Sequence, residues 1–91
     1  MKELLQNVED LDLSARSFNC LDRANIKRVA ELSLMSEAEL KGLKNLGKKS
    51  FEEITGKLES IGFPVGYKFD DEFLSVLKSK LEELKSQAGD E

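Results

Sequence analysis

Apolar positions recur along the chain at the three- and four-residue spacing of a helix face. Leu4, Val8 and Leu11 open the series. With Leu5 and Leu13 among acids, residues 2 to 13 read as a short amphipathic turn or an extended arm. Ser14 then suits an N-cap, its hydroxyl accepting from an otherwise orphaned amide, and predicts a helix over roughly 15 to 24 with Phe18 and Leu21 facing inward. Asn25 is placed to cap a second helix through Ile26, Val29, Ala30 and Leu32, and Leu34 breaks that periodicity. Ser36-Glu37-Ala38-Glu39 matches a capping box. It predicts a short third helix through Leu40 and Leu43 that stops near Asn45-Leu46-Gly47.

The most regular segment is Lys48 to Ile61, where Phe51, Ile54, Leu58 and Ile61 follow one another at intervals of three, four and three. Gly62 suits the left-handed position that ends a helix, and Pro64 cannot continue one. Phe63 to Phe69 reads as a linker anchored by Tyr67 and Phe69. Asp70 or Asp71 opens a last helix in which Leu74, Leu77, Leu81, Leu84 and Ala88 form a two-heptad seam. Isolated helices of this length are marginal in water, so the seam predicts packing on the domain, with pairing to a second copy as the alternative. Residues 88 to 91 are expected to fray. The sequence divides into an N-terminal arm or linker remnant (1–9), a helical domain (10–69) and a C-terminal amphipathic helix with its tail (70–91). The fold class is all-α, a compact bundle of four to five short helices plus the extra C-terminal helix.

Composition agrees: 91 residues suffice for one modest core, and 40% apolar with 35% charged residues fits a globular, helix-rich protein. Cys20 is the single cysteine, which excludes a disulfide framework and a zinc cluster and suits a small buried hydrophobe in a reducing cytoplasm. The sequence starts without the apolar run of a signal peptide and lacks the roughly 18 consecutive apolar residues of a membrane span, so no membrane is expected. A net charge of -4 counts against indiscriminate polyanion binding. The stretch from Ser14 to Ser50 nevertheless carries Arg16, Arg23, Lys27, Arg28, Lys41, Lys44, Lys48 and Lys49, while acids crowd both ends. Any DNA contact must therefore be local.

Catalysis finds no support, because the sequence has no histidine, no P-loop, no dinucleotide fingerprint and no cysteine beside a base. Neither catalytic residues, a cofactor nor a metal site is expected. The informative stretch is Leu43-Lys44-Asn45-Leu46-Gly47-Lys48-Lys49-Ser50, a tight turn between two amphipathic helices. Free amides at a helix start, glycine at the bend and neighbouring lysines can hold a phosphate. A loop glycine with solubilising lysines fits the turn equally well. Arg16 and Asn19, one turn apart, share a face from which a guanidinium and an amide can reach a groove. Taken alone, Arg16 reads as a solvated charge. Phe18, Phe51, Leu58 and Ile61 fall on the aliphatic stripes and read as core.

Two stretches together are more specific than either. Leu11-Asp12-Leu13-Ser14-Ala15-Arg16-Ser17-Phe18-Asn19-Cys20-Leu21, followed by Asn45-Leu46-Gly47-Lys48-Lys49-Ser50-Phe51-Glu52-Glu53-Ile54, resembles the C-terminal domain of the bacterial RNA polymerase alpha subunit. The resemblance spans roughly residues 8 to 67 and implies a SAM-like bundle with helix-hairpin-helix elements, tethered by a flexible linker to an N-terminal domain. It implies a role in transcription initiation: an accessory domain of the DNA-directed RNA polymerase, a nucleotidyltransferase, in the bacterial nucleoid. Its implied contacts are the minor groove of AT-rich upstream promoter DNA, transcription activators, sigma factor, the alpha N-terminal domain and the beta subunits. Carried onto this sequence, Arg16 is the main groove contact, supported by Asn19. Asn45, Gly47, Lys48, Lys49, Ser50 and Glu53 then form the second half of the DNA surface. A narrow A-tract groove concentrates negative potential and draws in arginine, which makes the arrangement physically sensible.

There are also departures from the family. Asp22 stands where many relatives carry a lysine and is expected to approach the phosphates with the wrong sign. Phe18 replaces a small residue. The helix from Asp70 onward lies outside the resemblance, and Leu74, Leu77, Leu81 and Leu84 are candidates for self-association, for a partner seam or for capping the core. A protein-interaction or dimerisation domain without meaningful DNA contact is the alternative reading.

Overall fold

The computed structural model describes residues 2–89, with residues 86 to 89 given by backbone alone. The side chain of the seam position Ala88 and the expected fraying at 90 and 91 lie outside the described residues, although the helix backbone continues through Gly89. Among the described residues the fold comprises six α-helices: α1 (Lys2–Leu5), α2 (Ala15–Arg23), α3 (Val29–Ser33), α4 (Glu37–Lys41), α5 (Lys48–Ser60) and α6 (Asp71–Gly89). A 3-10 turn at Val8–Leu11 joins α1 to α2. The expected all-α bundle is what forms.

Local signals account for four of these boundaries. Ser14 caps α2 by accepting from the Ser17 amide at 3.3 Å. In the capping box of α4, the Glu39 amide donates to Ser36 Oγ at 3.1 Å and the Ser36 amide donates to Glu39 Oε1 at 2.9 Å. Asp70 Oδ1 accepts from the Phe73 amide at 2.8 Å and starts α6. Gly62, with φ 87°, occupies the left-handed position beyond the end of α5.

Two boundaries differ from expectation. Asn25 does not cap a helix; it takes φ 62° and terminates α2 in the left-handed region that asparagine tolerates. The next helix starts only at Val29, because the intervening backbone is engaged by the N-terminal segment. There the Val8 amide donates to the Lys27 carbonyl at 2.9 Å, and the Val29 amide donates to the Gln6 carbonyl at 3.0 Å. Arg28 Nη1 adds a bond to the Leu5 carbonyl at 2.8 Å. Within residues 2 to 13, read as a short amphipathic turn or an extended arm, the helical turns at Lys2–Leu5 and Val8–Leu11 form and pack into the fold, with Leu4, Val8 and Leu11 buried. The third helix also ends early, at Lys41; Leu43 and Leu46 reach the core from the turn that follows.

The main core gathers Leu21, Val29, Leu32, Leu40, Ile54 and Leu58 between α2 and α5, with Phe18, Phe51 and Ile61 packed partly buried against it. A second cluster joins the two ends of the chain: Leu4 and Ala30 meet Leu77 and Leu81 of α6. Full burial of a leucine stabilises by about 1.5–3 kcal/mol, so Leu77 and Leu81 give α6 a reason to dock. Phe63, Tyr67, Phe69 and Phe73 form a run of ring contacts beside this cluster, with successive centroids 4.7 to 5.5 Å apart, the first two pairs edge to face and the last stacked, and anchor the linker. Leu74 and Leu84 are half-buried. The seam thus packs on its own domain.

Candidate nucleic-acid interface

Helical spacing puts Arg16, Asn19, Cys20 and Arg23 on one face of α2. The turn between α4 and α5 lies against that face. Together Arg16, Asn19, Cys20, Arg23, Asn45 and Gly47 line an open cleft of about 600 Å³. The fold thereby joins the α2 candidates, Arg16 and Asn19, to the turn candidates, Asn45 and Gly47, which are distant in sequence.

Two polar links hold the halves in register. Glu53, on α5, accepts from the Ser14 amide at 2.9 Å, from Ser14 Oγ at 2.8 Å and from Ser17 Oγ at 2.5 Å. Its carboxylate therefore ties the first turn of α2 to α5. Donation by the Ser17 hydroxyl, followed by that of Ser14, holds the Glu53 carboxyl below its ordinary range. The second link is the Cys20 thiol, which donates to the Asn45 carbonyl at 3.2 Å and pins the turn to the middle of α2. Cys20 is buried as expected, and it also carries this bond.

Backbone conformation in the turn is informative. The left-handed residue is Asn45, with φ 68°, whereas Gly47 has φ -83° and ψ 172°, open to any residue. A Cβ built at Gly47 meets no atom within 4 Å. Neither strain nor crowding inside the fold requires glycine there, and its surface is left clear for close approach from outside. Gly47 is also the N-cap of α5, so the amides of Lys48, Lys49 and Ser50 have no intrahelical acceptor.

The other candidates occupy different positions. Lys48 and Lys49 are exposed on the first turn of α5, outside the cleft lining. The Ser50 side chain, 4% exposed, faces inward, so only its backbone remains near the surface turn. Asp22 pairs with Lys27 at 2.7 Å and lies about 120° around α2 from Arg16, clear of the cleft. Among the described residues no carboxylate pairs with Arg16 or Arg23. Arg23 is the residue that sequence reasoning passed over, although its position one turn beyond Asn19 marks the same face. The Cys20 link had no signal in the sequence, because it depends on where the distant turn lands.

Among the described residues no group of three or more Cys, Asp or Glu side chains is arranged to hold a metal ion, and no helix is long and apolar enough to cross a membrane.

Comparison with known proteins identifies the family. The family model for the C terminal domain of the bacterial RNA polymerase alpha chain matches residues 1–60. The DNA-directed RNA polymerase subunit alpha of Wolinella succinogenes is 60% identical over 93% of this chain and 26% of its own length. That of Aliarcobacter butzleri is 56% identical over 94% of this chain and 26% of its own. The protein thus spans about a quarter of the length of these relatives. An NMR structure of the C-terminal domain of the RNA polymerase alpha subunit from Helicobacter pylori superposes with a TM-score of 0.80 at 54% identity, covering 91% of this chain and 73% of that one. On these grounds the chain belongs to the family formed by the C-terminal domains of bacterial RNA polymerase alpha subunits.

Proposed function

We propose that this domain binds the minor groove of AT-rich upstream promoter DNA and so tethers RNA polymerase to promoters during transcription initiation. The carrying observation is the cleft in which Arg16, Asn19, Asn45 and Gly47 converge without a carboxylate in its lining. Arg16 enters the narrow groove, where negative potential is concentrated, and Asn19 supports it. The unbonded amides at the start of α5, with Lys48 and Lys49 beside them, take the neighbouring phosphate. Ser50 contributes through its backbone, and Glu53 acts from behind by holding α2 in place.

In this reading the domain is a non-catalytic accessory of the polymerase, working in the bacterial cytoplasm alongside the alpha N-terminal domain and the beta subunits. Transcription activators and sigma factor use its remaining surface. Binding by the isolated domain is weak, and linkage to the polymerase supplies the effective concentration. The alternative, a domain that dimerises through α6, loses its central contacts because Leu77 and Leu81 are buried against Leu4 and Ala30.

The test is a proton-nitrogen chemical-shift titration with an AT-rich duplex and a GC-rich control, repeated on Arg16→Ala. Shifts at Arg16, Asn19 and Gly47 to Ser50 with the AT-rich duplex alone, lost in the variant, support the reading. Equal shifts with both duplexes, or an unaffected Arg16→Ala, overturn it.

A further inference from the structure

The cleft does not end at Asn45. A second, smaller recess of about 180 Å³ continues from it, lined by Cys20, Arg23, Ala24, Lys44 and Asn45. Cys20, Arg23 and Asn45 belong to both. The whole sequence holds 14 basic and 18 acidic residues, yet the joined surface presents Arg16, Arg23 and Lys44 and no acid. Arg23 and Lys44 are exposed, and among the described residues neither forms an ion pair. Asp22, the nearest acid in sequence, is turned away and engaged by Lys27.

From this geometry we infer that Arg23 and Lys44 form an additional phosphate-contact site, extending the DNA surface past the groove occupied by Arg16. The inference rests on the DNA-binding reading above. Arg23 lies seven residues beyond Arg16, about 10.5 Å along the axis of α2. The minor groove is about 6 Å wide, so with α2 lying across it a guanidinium at that distance falls over the bordering strand, not over base edges. Lys44 approaches from the turn on the other side of the recess, and two cations converging on one open hollow suit the oxygens of a backbone phosphate. The site therefore adds affinity without sequence preference.

Fluorescence anisotropy tests this with labelled AT-rich and GC-rich duplexes between about 50 and 200 mM salt. The parent protein is compared with Arg23→Ala, Arg23→Lys, Lys44→Ala, the Arg23→Ala/Lys44→Ala double variant and Arg16→Ala, each checked for an unchanged thermal midpoint. Arg23→Ala is expected to weaken binding to both duplexes alike, keep the AT-to-GC ratio and lower the log-log salt slope by about 0.9. The double variant lowers it by about 1.8, and Arg23→Lys retains the slope. An unchanged slope in Arg23→Ala, while Arg16→Ala abolishes AT preference, overturns this site and leaves the DNA reading standing. Loss of AT preference in Arg23→Ala also overturns it, since Arg23 would then read bases. Indifference of Arg16→Ala instead brings down the DNA reading, and this site with it.

Discussion

Replacing Glu53 by alanine removes the acceptor for three donors at once: the Ser14 amide, the Ser14 hydroxyl and the Ser17 hydroxyl. Hydrogen bonds to a charged group contribute about 1.5–3 kcal/mol each when sheltered, but two of these three lie at exposed positions where water substitutes. Loss of a helix cap, the nearest measured analogue, costs about 0.5–2 kcal/mol. The expected destabilisation is about 1–2 kcal/mol, which for a domain of this size lowers the melting midpoint by about 4–16 °C. Glu53→Gln is intermediate. Its amide keeps one acceptor for the Ser14 N–H, which can only donate, while the serine hydroxyls can rotate to accept.

The pH dependence follows from the lowered Glu53 pKa. A carboxyl whose folded pKa lies below its unfolded value, about 4.3, contributes stability that is present above that value and lost as pH falls through the folded one. The parent protein should therefore lose more stability than Glu53→Gln as pH drops below about 4.3. Urea denaturation of both proteins across that range checks this. DNA affinity supplies a second test, through its sign. A carboxylate lying against phosphates would repel them, so its removal would tighten DNA binding, whereas a carboxylate that aligns α2 weakens binding when removed. Parallel pH profiles, or tighter DNA binding by Glu53→Ala, would refute the reasoning.

Two further predictions concern the supports of the fold and the site. Leu77→Ala opens a cavity between α6 and Leu4, should cost about 2–5 kcal/mol in denaturant unfolding, and should leave the protein monomeric by sedimentation. Cys20→Ala removes the thiol bond to the Asn45 carbonyl; it should cost about 1 kcal/mol in stability and weaken binding to AT-rich duplex, with shift changes centred on Asn45 to Gly47.

Helices with local signals were legible from the residues alone. Ser14, the Ser36–Glu39 box, Gly62 and Asp70 lie within a few residues of the helix ends they specify, so short-range hydrogen bonding and backbone preference decide them. The candidate residues of α2 and of the turn stood out only as a helical face and a short motif, which taken alone fit a solvated charge and a loop glycine as well, and the family resemblance is what joined them. Other features required the folded arrangement. Asn25 ends a helix instead of starting one because the N-terminal segment takes the backbone groups of Lys27 and Val29. Leu4 and Leu77, from opposite ends of the chain, became one cluster. Glu53, a candidate contact through the family resemblance, faces Ser14 and Ser17 across the gap between α5 and α2. Cys20 acquired a partner 25 residues away. Each of these depends on which distant groups meet once apolar surface is buried, and hydrophobic spacing records that a face is buried without recording what lies against it.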